Sequence, residues 1–170
     1  METQLRNKIW YALVEAKYRA IYASHFANRT RVQNRILDVV LAITTSGSVA
    51  AWTFWQDYPE VWACLIAAGQ IVQLLRPVLT SSAKASDVEQ AMIFYTRQAK
   101  AYEWLWEKCD QAPIPAEVNQ QLKKLEQEEL DQLEKMSHFS VPEIKSIVQK
   151  SVREHARYLK IQLNIQTYSS

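Results

Sequence analysis

Residues 9–27 read Ile9-Trp10-Tyr11-Ala12-Leu13-Val14-Glu15-Ala16-Lys17-Tyr18-Arg19-Ala20-Ile21-Tyr22-Ala23-Ser24-His25-Phe26-Ala27, and Ile9, Leu13, Ala16, Ala20, Ala23 and Ala27 recur in them at steps of 4, 3, 4, 3 and 4. That spacing puts all six on one stripe of an α-helix, a heptad seam made mostly of alanine. A second seam, Val88, Met92, Tyr95, Ala99, Tyr102, Trp106 and Cys109, steps by 4, 3, 4, 3, 4 and 3. The two correspond when the chain is folded back at Asp57–Tyr58. Ala27 then meets Val88, Ala23 meets Met92, Ala20 meets Tyr95, Ala16 meets Ala99, Leu13 meets Tyr102 and Ile9 meets Trp106. Small residues on one arm face mostly large ones on the other, which fills an interface without voids. The pattern predicts an all-α fold with a long antiparallel helical hairpin over residues 1–110. Its seam is Ala16, Ala20, Ala23, Ala27, Met92, Tyr95, Ala99, Tyr102 and Trp106.

Between the seams lie two uncharged runs, Val39–Gln56 with 18 residues and Val61–Leu75 with 15, separated by Asp57-Tyr58-Pro59-Glu60. At about 1.5 Å per residue the first run is about 27 Å long, close to the hydrocarbon thickness of a bilayer, about 30 Å. Both glycines of the chain, Gly47 and Gly69, fall inside the runs, where close helix approach uses them. Trp52, Trp55, Tyr58 and Trp62 cluster near the turn, as an interfacial aromatic belt does. Residues 1–35 hold 7 Lys/Arg against 2 acids. The positive-inside rule then places both chain ends on the cytoplasmic side of two transmembrane segments, about 37–56 and 61–79. The competing reading is a buried hairpin in a soluble bundle, because Thr44, Thr45, Ser46, Ser48, Gln70 and Gln73 weaken the apolar character of the runs.

Within the runs Thr44, Ser48, Gln70 and Gln73 are candidate polar groups, either as hydrogen-bonding glue between helices or as the lining of a path enclosed by several copies. Asp38 and Arg76 border the runs on the same side and are a candidate ion pair; the alternative is that each reaches separately for the headgroups.

Gln111-Ala112-Pro113-Ile114-Pro115 interrupts helix and marks a boundary. Residues 111–139 carry 6 acids to 3 bases, and residues 143–170, the helix that starts from Ser140-Val141-Pro142-Glu143, carry 5 bases to 2 acids. A helical pair over residues 111–170, cytoplasmic and packed antiparallel through opposite charge, is expected. Its apolar positions are Val118, Leu122, Leu125, Leu133 and Met136, then Ile144, Val148, Val152, Leu159 and Leu163. The alternative for the basic helix is contact with anionic lipid or another protein.

The chemistry classes are thinly represented. With 2 Gly and 5 Pro there is no phosphate loop or nucleophile elbow. His25, His138 and His155 lack metal-ligand spacing, and Cys64 and Cys109 form no CxxC pair. No catalytic, cofactor or metal site is expected, and the net charge of +2 without a groove-reading motif gives no reason to expect nucleic acid. The first 30 residues read as charged helix, without the apolar core of a signal peptide.

The segments Ala51-Trp52-Thr53-Phe54-Trp55-Gln56-Asp57-Tyr58-Pro59 and Gln70-Ile71-Val72-Gln73-Leu74-Leu75-Arg76-Pro77, with the layout of basic helix, two close apolar helices and helical continuation over about residues 5–110, resemble the SLATT family of bacterial two-transmembrane proteins. The resemblance implies no catalytic residues. It implies a homo-oligomeric effector in a nucleotide-signalled antiviral system that permeabilises the inner membrane, with the lipid bilayer and an upstream signalling or sensor protein as partners. The alternative is a soluble, cytoplasmic, all-helical interaction or scaffold protein.

Overall fold

A computed structural model describes residues 2–50, 59–79, 82–109, 116–136 and 141–169. The described residues form five α-helices: α1 (Glu2–Ala50), α2 (Pro59–Leu79), α3 (Ser82–Lys108), α4 (Ala116–Lys135) and α5 (Lys145–Ser169). Pro59 opens α2 at the first helical position, where its missing N–H costs nothing. Pro77 lies two residues from the end of α2, so the hydrogen bond it removes belongs to the last turn. The chain divides into two compact units. Unit 1 contains Met1–Ala27 and Asp87–Ser170, and unit 2 contains Asn28–Ser86.

The transmembrane expectation is corrected. Among the described residues, no helix is long and apolar enough to cross a membrane. The physical reason lies in the composition of the runs. Thr44, Thr45, Ser46, Gly47 and Ser48 dilute the end of α1, and Glu60, Gln70, Gln73 and Arg76 punctuate α2. A spanning helix needs about 20 predominantly apolar residues. The inner-membrane location and the membrane-permeabilising activity fall with it. The Asp57–Tyr58 turn lies outside the described residues.

Unit 1 is held by a core of Ile9, Leu13, Ala16 and Ala20 from α1, Ala99, Tyr102, Leu105 and Cys109 from α3 with its end, and Val118 and Leu122 from α4. Side-chain contacts give the directions. Trp10 packs against Trp106 with ring centroids 4.9 Å apart and the rings tilted by 48°, Lys17 pairs with Glu103, and Arg19 lies over Tyr95. Position numbers rise along α1 as they fall along α3, so these two segments run antiparallel. Lys8 pairs with Glu126 at 2.7 Å and Arg19 with Glu129, so α4 runs parallel to α1. The α5 helix lies along α1 and α3. The Tyr22 hydroxyl donates to Pro142 O (2.7 Å) and accepts the Ile144 N–H (3.0 Å), and Tyr158 reaches Glu103.

These two hydrogen bonds, one donated and one accepted by the Tyr22 hydroxyl, tie down the start of α5, where the amides of a first turn have no intrahelical partner. A side chain 122 positions away in sequence thus does the work of a local cap. Ser140, which with Glu143 has the spacing of a capping box, lies outside the described residues. The start of α3 also differs from the sequence reading. Ser86-x-x-Glu89 has the spacing of a capping box that would start a helix there, but α3 begins one turn earlier, at Ser82.

Candidate functional site

The seam residues collect in unit 1. Ala16, Ala20, Ala23, Ala27, Ala99 and Tyr102 are buried, and Met92, Tyr95 and Trp106 are half-buried. Sequence reasoning missed three buried positions of α3: Ala91, Gln98 and Leu105. They recur every seven residues, so the periodicity contains them. Leu105 shares its cluster with residues of both α1 and α4, and Gln98 bonds Glu129 of α4, so a seam for one partner does not include them. In α5 the buried residues are Ile147 and Ser151, whereas Val152 is exposed. Of the apolar positions read from the sequence, Ile144, Val148 and Leu159 are half-buried, next to a face that also turns His155 and Tyr158 inward. Ser151 is fully buried, and its hydroxyl has no hydrogen-bond partner among the described residues.

Two polar clusters cross the helices of unit 1. In the first, Lys17 Nζ donates to Glu103 Oε1 (2.6 Å), Tyr158 OH donates to the same oxygen (2.8 Å), and the Lys17 ammonium sits 4.4 Å from the centre of the Tyr158 ring. Nearby, His155 Nε2 donates to the Val14 carbonyl at 2.9 Å, so Nε2 carries the proton. Burial alone would raise the pKa of Glu103. The hydrogen bonds from Lys17 and Tyr158, with the charges of Lys17 and Lys100, outweigh it and leave the carboxyl below its ordinary value.

A carboxylate with a depressed folded-state pKa contributes stability that is fully present above its unfolded pKa, about 4.3, and is lost as pH falls through the folded pKa. Unit 1 is therefore expected to lose stability on the acid side of about pH 4.3, and Glu103→Gln is expected to flatten that part of the profile. The check is urea unfolding from pH 3 to pH 7 with both proteins. An unchanged slope in the variant would show that Glu103 is not the linked group.

In the second cluster, Arg19 Nη1 donates to Glu129 and Nη2 donates to Glu15 Oε1 (2.6 Å), while Gln98 Nε2 donates to Glu129 Oε2 (3.0 Å). Burial works against the Arg19 charge, yet Glu15 and Glu129 more than offset it and the pKa rises. Burial, with the charges of Glu129 and Glu126 added, pushes the Tyr102 hydroxyl up to about 12. These groups hold one another, and buried Gln98 is explained by its carboxylate partner. Among the described residues no group of His, Cys, Asp and Glu is placed to hold a metal ion. A cleft of about 380 Å³ lies among Tyr18, Arg19, Tyr22, Ala23, Tyr95, Val141, Glu143 and Val148. A second, also about 380 Å³, lies between α3 and α4 with Arg97, Glu128, Asp131 and Lys135 on its walls.

Unit 2 differs in kind. Gln70 and Gln73 are exposed, and so is Asp38. The side chains of Thr44, Ser48 and Arg76 lie outside the described residues, and with Arg76 the Asp38–Arg76 pair does too. Leu41 and Gly69 are buried. Large apolar side chains are open to solvent: Val32 (49%), Ile36 (57%), Val39 (51%) and Val40 (36%) on α1, and Ile66 (42%), Ile71 (56%) and Leu74 (76%) on α2. Single exposed apolar residues are ordinary. Four at i, i+4, i+7 and i+8 on one helix form a face, the spacing by which helices recognise helices.

These features define an all-helical protein with a polar-braced helix bundle in one unit and exposed large apolar side chains on the described helices of the other. Comparison with protein-family models, with curated proteins and with solved structures finds no match for the chain. The resemblance to the SLATT family rests on the segments quoted above.

Proposed function

We propose that this chain is a non-catalytic helical assembly protein, in which unit 1 is a packed bundle and unit 2 supplies the surface through which copies of the chain join. The observation that carries this reading is the exposure of seven large apolar side chains on α1 and α2 of unit 2. Contiguous apolar surface of more than a few hundred Å² is rare on a monomer, and a standard interface covers about 800 Å² per partner. Polar Gln70 and Gln73 stand among the apolar residues of α2 and fit the rim of such an interface.

Sedimentation of the purified chain over a range of concentrations tests it. The mass is expected to rise with concentration. Leu74→Asp, at the most exposed of the seven positions, is expected to weaken association tenfold or more while leaving the helical content intact. A mass that stays at one chain throughout would overturn the reading.

A further inference from the structure

The opposite charges of residues 111–139 and 143–170 point to pairing between them, but the structure uses those charges otherwise. Lys8 and Arg19 of α1 take Glu126 and Glu129 of α4, and His25 of α1 takes Glu154 of α5. Four bases of α5, Lys150, Arg153, Arg157 and Lys160, are exposed, and no described residue makes a hydrogen bond or ion pair with them. Their steps are 3, 4 and 3. At about 100° per residue they fall within an arc of about 80°, and at about 1.5 Å per residue they form a row about 15 Å long. Ile147, Ser151, His155 and Tyr158 take the other side of the helix, toward α1 and α3.

Such a row is unfavourable by itself. Lys150 with Arg153, Arg153 with Arg157, and Arg157 with Lys160 are like charges three or four positions apart, which destabilise a helix. Acids ordinarily interleave with such bases: on α4, Lys124 has Glu128 one turn on at 3.9 Å. Glu154, the one acid in the α5 sequence, is engaged with His25 at 2.7 Å. The packing of unit 1 uses none of the four cations, so their shared face is left for an anionic partner.

The surroundings of the row select that partner. The exposed described residues of α5 include no aromatic side chain, so an unstacked nucleic-acid base finds no ring there. A helix lying in a bilayer surface turns its apolar face into the lipid, and the apolar face of α5 is packed on unit 1. A second copy offers no clean acidic row, because the exposed acids of α4, Glu128, Asp131 and Glu134, are interleaved with exposed Lys124 and Lys135. Beside the cations stand exposed Ser146, Gln149 and Ala156, short or uncharged side chains that let another helix approach. A helix with acids at steps of three and four would match the row along its whole length.

We propose that the outer face of α5 docks an acidic helix of another protein, whose carboxylates lie opposite Lys150, Arg153, Arg157 and Lys160. The contact belongs to unit 1 and is separate from association through unit 2.

Fluorescence anisotropy with the full chain tests it. The probe is a labelled, alanine-rich helical peptide that carries glutamates along one face at steps of three and four. Two controls are the same peptide with glutamine for glutamate, and one with its glutamates spread round the helix. Both are expected to bind about tenfold more weakly than the probe. Arg153→Gln combined with Arg157→Gln is expected to weaken the probe about fivefold or more. Lys123→Gln combined with Lys124→Gln removes the same charge from α4 and is expected to leave the affinity within about twofold.

Equal binding of the spread peptide would show attraction by charge alone and overturn the proposal, as would an unchanged affinity in the paired arginine variant or no binding of the probe. Tighter binding to duplex DNA, or to vesicles of phosphatidylcholine and phosphatidylglycerol in equal parts, lost in the arginine variant, would assign the row to phosphate and overturn it too. Sedimentation of the arginine variant is expected to match the wild type, which separates this contact from the assembly reading. Circular dichroism of each variant confirms that the helices are intact.

Discussion

Tyr102→Ala is expected to lower the unfolding free energy of unit 1 by about 3–5 kcal/mol, the range for removing a large aromatic ring from a core. Tyr102 is 2% exposed and the bulkiest of the fully enclosed side chains. It shares its cluster with Ile9 and Leu13 of α1, Leu105 of α3 and Leu122 of α4, so its removal takes packing from three helices at once. Dispersion contacts around such a void are forfeited, because neighbours on rigid helices relax only in part. Denaturant titration followed by circular dichroism measures the effect, with a lower midpoint and an unchanged slope expected. Tyr102→Phe keeps the ring and is expected to retain most of the stability. A loss below about 1 kcal/mol in the alanine variant would mean the site collapses freely, and the account of the core would be wrong.

Ala16→Leu is expected to destabilise unit 1 by about 1–3 kcal/mol, the usual penalty for forcing extra methylenes into a packed core. Ala16 is 4% exposed and lies in one cluster with Ala99, which is 2% exposed. Two alanines in one cluster let the α1 and α3 backbones come close, and a leucine would have to push them apart. The same titration measures it, with Ala16→Gly as a companion. Glycine leaves the contact open and is expected to cost about 1 kcal/mol through helix propensity alone. A leucine variant as stable as the wild type would show spare room at the seam. Together the tyrosine and alanine variants test whether the small and large residues of this core fit one another.

Much of unit 1 was legible from Ile9 to Ala27. A heptad of one isoleucine, one leucine and four alanines has one face to bury, and all six residues are buried. The reading was weaker where one helix meets several partners. On α3 the stripe Ala91, Gln98 and Leu105 serves neighbours that a single seam does not include. Gln98 carries the further disguise of a polar side chain whose burial depends on Glu129, 31 positions on. Part of the inward stripe of α5 was hidden for the same reason, since His155 and Tyr158 read as surface residues until their partners, Val14 and Glu103, are known. The polar residues of the central runs are candidates only where lipid surrounds them. Gln70 and Gln73 are exposed on a helix that no longer qualifies as a membrane span.

The sequence by itself determined the helical class and the alanine seam of α1, because both follow from local rules. Scarcity of glycine and proline removes turns, and a 3.5-residue apolar period admits one secondary structure. Tertiary structure alone decided which polar groups are buried and how α5 is capped. It also decided which apolar faces stay uncovered. Each of these depends on residues distant in sequence: Tyr22 on Ile144, Lys17 on Glu103 and Tyr158, Arg19 on Glu129. A buried charge is tolerable only beside its partner, and sequence spacing carries no record of that pairing. The seam of residues 9–27 needs only its own period, whereas the polar clusters beside it need the whole of unit 1.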